Sequence, residues 1–255
     1  MRKFFTIASL FALTLSACSE EVANGEQKGE GRVTIDCVAS TTVDETRANV
    51  SCTTPRAEDF TLKIEGVGHT YIADYANINE FNEDNYLVHG QYKASVFAGN
   101  INMEGYDKAA FVGSETFTVA PRKNTQVNIK ATIANALVKV EVTDNFKSYF
   151  AGGHALTLTT AAGKEFDVTE QTEPIFIAPN TFTIAGTAIK QPNQSGAEGV
   201  EVVLPEYKPT EVKAQTLYTV KFDVENAGSA TLNITLNETL VESIDIEQEL
   251  NDNAK

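Results

Sequence analysis

From Arg32 onward the chain alternates apolar and polar residues with a period of two. Val33, Ile35 and Cys37 are separated by Thr34 and Asp36, and Phe60, Leu62 and Ile64 by Thr61 and Lys63. Tyr92, Ala94 and Val96 repeat the pattern after His89-Gly90, followed by Phe117 and Val119, then by Val127, Ile129, Ala131 and Ile133. Successive side chains of a strand point to opposite faces, so this alternation predicts strands with one packed and one wet face. Asp, Asn, Gly and Pro gather between the runs, where turns need them. Helical periodicity is nearly absent; short helical turns are expected near residues 73–82 and 145–150.

A second series of runs follows Ala134-Asn135-Ala136, at 137–143, 155–160, 175–178, 182–189, 200–204, 217–224, 230–236 and 240–246. Spacing near ten residues with turn residues between is the mark of an antiparallel sandwich or barrel. The expectation is therefore all-β, with two tandem antiparallel β-sandwiches over residues 32–133 and 134–246 and a polar tail over 247–255. No Gly/Pro linker divides them, so one long strand is expected to cross the joint and make the pair rigid.

The first residues have a different pattern. Arg2 and Lys3 precede an apolar stretch from Phe4 to Leu15, too short for a membrane-spanning helix and shaped like a secretory signal. It ends in Leu15-Ser16-Ala17-Cys18, which resembles the bacterial lipobox. That resemblance implies cleavage after residue 17 and lipid on Cys18, hence an outer-membrane, surface-facing protein held by acyl chains. Residues 18–31 are polar and glycine-containing, a flexible tether; Ser19-Glu20-Glu21 resembles the acidic signal that directs some lipoproteins outward.

Removing residues 1–17 takes away Arg2 and Lys3 and no acid, moving the formal charge from −15 to −17. So acidic a body is a poor partner for nucleic acid, which needs clustered Lys and Arg. In a non-reducing setting Cys37 and Cys52 either pair, for about 3 kcal/mol on a chain-entropy model, or remain two small buried thiols. No histidine lies near either in sequence, so no metal and no cofactor is expected. His69, His89 and His154 are widely spaced, and neither a Gly-x-Ser-x-Gly elbow nor a phosphate-cradling glycine loop occurs. The stretch from Asn77 to Asn85 carries oxygen ligands without the spacing of a calcium loop, and reads first as solvated loop. Tyr71, Tyr75, Phe81 and Tyr86 are either glycan-stacking rings or, by alternation, core.

The leader, the strand Gly31-Arg32-Val33-Thr34-Ile35, Asp59 to Ile64, Gly90 to Ala94 and the pair of runs from Val127 to Val142 together resemble fimbrillin-like surface lipoproteins. They resemble still more the related bacterial lipoproteins of a domain-of-unknown-function family. The resemblance implies two transthyretin-like sandwiches, a non-enzymatic role in adhesion or as a fimbrial subunit or accessory, and cleavage at an arginine such as Arg47 or Arg56. It implies assembly with other pilus-type subunits by strand donation; the run at 240–246 is then either a donor or the last strand of its own sheet. The alternative role is glycan capture at the surface, and a surface hydrolase is a third.

Overall fold

The structure, a computed structural model, describes residues 29–43, 48–190, 199–226, 230–238 and 244–249. The predicted leader, Cys18, most of the tether and Arg47 lie outside the described residues. The first half contains β1 (Glu30–Ser40), β2 (Thr42–Val43), β3 (Ala48–Asn49), β4 (Thr61–Val67), β5 (Ile72–Tyr75), α1 (Ile78–Glu83), β6 (Tyr86–Val88), β7 (Gly90–Ala98), β8 (Phe111–Val119) and β9 (Asn124–Ile133). Apart from the small β2-β3 ribbon, its strands form one sheet in the order β5-β4-β7-β8-β9-β1-β6. β8 and β9 pair through Phe111↔Ile133 and Val112↔Thr132, and at the other end of their hairpin the Thr125 hydroxyl donates to Thr118 O at 3.3 Å. Val33 and Ile35 of β1, Leu62 and Ile64 of β4, Tyr92 and Val96 of β7, and Val127 and Ile129 of β9 all enter one core, the faces that alternation predicts.

The second half is two sheets. β10 (Ala136–Val142), β13 (Ile175–Ile177), β16 (Leu217–Asn226), β17 (Ala230–Glu238) and β18 (Ile244–Glu249) form a sheet ordered β13-β10-β16-β17-β18. β11 (His154–Thr160), β12 (Glu165–Asp167), β14 (Phe182–Ile189) and β15 (Glu201–Val203) form the other, ordered β12-β11-β14-β15. A short helix, α2 (Asp144–Tyr149), starts where the Thr143 side chain accepts the Phe146 N–H at 3.2 Å, and buries Phe146 and Tyr149.

The protein is thus an all-β pair of sandwiches, with several departures from the predicted pattern. β1 runs parallel to β9 and β10 parallel to β16, because each pair joins strands far apart in sequence rather than across a hairpin. Residues 73–75 are strand, not helix, since Ala73 and Tyr75 pair with Ile64 and Leu62; the helix begins at Ile78, where Asn77 accepts the Glu80 N–H. β1 already includes Glu30 and Gly31, which pair with Val88 and Leu87. β18 extends through Glu249, into the segment expected to be a polar tail.

In both halves the first strand has a short partner on its outer edge, and a side-chain amide takes over where that partner ends. Past the β6 pairing, Val33 donates its N–H to Asn85 O at 2.7 Å. Asn82 then accepts the Ile35 N–H at 3.1 Å and donates to Ile35 O at 3.0 Å. Past β13, Gln171 accepts the Val140 N–H at 2.7 Å and donates to Val138 O at 3.0 Å. Each amide satisfies backbone groups that an open edge would present to another chain.

No single strand crosses the joint. β9 stops at Ile133 and β10 starts at Ala136 in a different sheet, because Asn135 is fully buried between them. Its side chain accepts the Ala110 N–H at 2.6 Å and faces Ile177 O at 3.4 Å. The two halves share an apolar seam instead: Leu137 and Phe176 belong to the first core although their neighbours Val138, Ile175 and Ile177 belong to the second. Each such side chain contributes about 1.5–3 kcal/mol on burial.

Cys37 and Cys52 are free thiols here, without the bridge that was one of the two expectations. Burial pushes the Cys37 thiol up to about 11, against a backbone hydrogen bond at Ala131 that pulls it down. Burial, then the Asp107 charge, raises Cys52, and burial also raises Tyr75 and Tyr92. An unfolded thiol near 9.0 releases its proton two units before the folded Cys37 does. The contribution of this thiol to folding stability is therefore full below about pH 9 and is lost as pH rises toward 11. Thermal melts between pH 7 and 11 are expected to show that decline, with a shallower slope in Cys37→Val; equal slopes would remove the thiol from the explanation.

Candidate functional site

The loop between β7 and β8 has no periodicity in sequence, yet it reaches across to the second half. Glu104, only 4% exposed, accepts the Thr160 hydroxyl at 2.6 Å through one carboxylate oxygen and the Ala178 N–H at 3.1 Å through the other. The Lys164 ammonium donates to the Glu104 carbonyl oxygen. The next residue, Gly105, exchanges both backbone hydrogen bonds with Phe176, at 2.9 and 3.0 Å. Its φ of +144° is one that glycine adopts without a Cβ clash. Two residues on, Asp107 accepts the Thr53 N–H at 2.7 Å and the Thr53 hydroxyl at 2.8 Å.

Tyr106 stands between these clamps and is 43% exposed. It forms one side of a cleft of about 540 Å³ whose other side comes from the second half: His154 of β11, Asp167 at the end of β12, and Gln171 and Glu173 of the following segment. That wall is held in place bond by bond. Asp167 accepts the Thr169 N–H at 3.0 Å, and Thr169 accepts the Leu156 N–H at 2.9 Å. Gln171, besides completing the edge of β10, donates to Glu173 O at 2.8 Å. The hydrogen bonds from Thr169 hold the Asp167 carboxyl below its ordinary range. Partial burial, then the charges of Asp167 and Glu173, raise the Tyr106 phenol above its own, so it stays protonated. The His154 ring packs edge-on against Phe146, and its Nε2 is buried without a hydrogen-bond partner.

A neighbouring groove of about 550 Å³ runs along β10, and four of its charged residues pair with one another: Lys139 with Glu141 at 2.8 Å and Lys147 with Glu170 at 3.4 Å. Among the described residues no group of three or more His, Cys, Asp or Glu side chains could hold a metal ion. The oxygen-rich stretch around α1 is occupied structurally: Asn77 caps the helix, Asn82 holds Ile35, and Asn85 accepts from Arg32 at 3.2 Å.

The residues singled out from sequence fall elsewhere. Tyr71 and Tyr75 are half-buried with their hydroxyls 3.3 Å apart, Tyr71 edge-on to Tyr92 and Tyr75 edge-on to Phe81. Phe81 is fully buried and has no face to offer a ligand. Tyr86 is 58% exposed on β6. Arg56 is exposed, its guanidinium 2.9 Å from Glu58 and 3.3 Å from Asp59. Sequence reasoning missed Glu104, Tyr106 and Asp167, whose roles depend on partners from the other half and leave no periodic trace.

A family described as a domain of unknown function, DUF4493, matches residues 29–252. The chain belongs to this family. The match begins at Gly29, directly ahead of β1, so the DUF4493 unit takes in both sandwiches and the cleft between them. No match was found among curated proteins. Among solved structures, a candidate cell adhesion protein from Bacteroides eggerthii is 10% identical, with a TM-score of 0.45 over 83% of this chain and 95% of that one. A candidate polysaccharide-binding protein (DUF1812) from Bacteroides thetaiotaomicron is 9% identical, with a TM-score of 0.41 over 86% and 98%. A candidate adhesin from Bacteroides ovatus is 10% identical, with a TM-score of 0.38 over 88% and 97%. Among the described residues no helix is long and apolar enough to cross a membrane.

Proposed function

We propose that this DUF4493 chain is a lipoprotein, cut before Cys18 and anchored in the outer membrane by lipid on that thiol. Its two-sandwich body then works at the cell surface in adhesion, without catalysing a reaction. One observation carries the reading: an apolar leader ending in Leu15-Ser16-Ala17-Cys18, followed by a polar tether and an all-β body. Dual or triple acylation gives stable anchoring where a single chain does not. A tether of about a dozen residues lifts the body clear of the lipid headgroups. The Glu104 clamp and the Phe176 seam suit such a role, since a tethered binder under load needs its two halves to move as one.

The full chain expressed with an alkynyl fatty acid is expected to take up label, and Cys18→Ser to lose it completely. An unlabelled wild-type chain would overturn the anchor.

Strand exchange with pilus-type subunits is a finer form of the same reading. β1 supplies Val33, Ile35 and Cys37 to the first core, so cleavage at Arg47 or Arg56 would leave it held by noncovalent contacts. Its removal would open a groove another strand could fill. Glycan capture is the second reading, favoured by the Tyr106 cleft.

A further inference from the structure

We propose that the cleft between Tyr106 and the Asp167–Glu173 wall binds an uncharged pyranose unit of a glycan, stacked on the Tyr106 ring with its hydroxyls donating to the two carboxylates. This rests on the reading of the chain as an exported binding protein and adds to it a site and a ligand class. A pyranose presents a face of C–H groups ringed by hydroxyls, so its receptor needs an apolar plate beside fixed acceptors. Tyr106 is the plate: the residue is exposed to solvent, and its two neighbours are fixed, Gly105 by backbone bonds to Phe176 and Asp107 by its carboxylate on Thr53. Asp167 and Glu173, which line the same cleft as the phenol, are the acceptors.

The wall is built before any ligand arrives. Thr169 holds one Asp167 oxygen, and Gln171 holds the backbone of Glu173. The Asp167 side of the wall therefore loses little conformational entropy on binding. The two carboxylates also set the selectivity. A uronate, sulfate or phosphate would meet like charge, whereas a hydroxyl meets an acceptor. The three sequence-predicted rings in and around the first core lack this arrangement, because Phe81 is buried and Tyr71 and Tyr75 bond to each other.

The test uses the full chain in detergent on an array of neutral glycans (mannan, galactan, arabinan, maltoheptaose) and anionic ones (polygalacturonate, chondroitin sulfate), with a lysine-rich peptide alongside. At least one neutral member is expected to bind, with Tyr106→Ala weakening it by at least about tenfold and Asp167→Asn by about tenfold. Tyr86→Ala is expected to bind as wild type, and melting temperatures of all variants should agree, which separates lost contacts from lost fold. Binding confined to anionic glycans or to the peptide, binding indifferent to Tyr106→Ala, or no binding at all would overturn the site. Fatty-acid labelling of the same chain reports separately on the anchor, so loss of the cleft and loss of the lipoprotein reading give different results.

Discussion

Glu104→Ala is expected to destabilise the chain by about 3 kcal/mol, because it strands a buried hydroxyl and a backbone N–H together. At this chain length that lowers the melting temperature by about 6–12 °C. The Thr160 hydroxyl and the Ala178 N–H both point at the Glu104 carboxylate from the second half, and Thr160 is itself buried. An alanine removes the acceptor of both groups at once. Glu104→Gln keeps one oxygen for Ala178 and adds an NH₂ that Thr160 can accept, so its loss is expected to be smaller. The clamp also couples the halves, so Glu104→Ala is expected to split unfolding into two transitions resolved by different probes. Calorimetry showing one transition at the wild-type temperature would refute the clamp.

The second large effect is expected at Phe81. Its ring is fully buried, lies 5.3 Å from the Tyr75 ring edge-on, and anchors α1 to the first core. Phe81→Ala should cost about 3–5 kcal/mol, the transfer loss plus a cavity that the short helix cannot collapse to fill. It should leave glycan binding at Tyr106 intact in whatever fraction remains folded. Thermal melts decide the point: a shift under about 2 °C would mean the ring is not a core residue.

Phe81 also shows where reading the sequence stops. The alternation around Phe60–Ile64 and Tyr92–Val96 assigned faces that the structure keeps. Around residues 71–86 alternation points several of the four aromatic rings to the core without saying which. The structure separates them, sending Phe81 inward and Tyr86 outward, because α1 is pinned against β1 by Asn82 and Asn85. An amide that acts as a strand partner looks in sequence like any loop asparagine. The same is true of Gln171.

By itself the sequence determined the all-β class, the inward faces of most strands and the helix at α2. These are local properties: two-residue periodicity and the hydrophobicity of a short segment are written into neighbouring residues. Only the tertiary structure decided that β1 pairs parallel with β9 and β10 with β16, that Asn135 breaks the chain between sheets, and that Glu104 is a buried clamp. Glu104 meets partners 56 and 74 positions away. A carboxylate in a polar loop is solvated unless distant groups arrive to bond it, and no local pattern records whether they do.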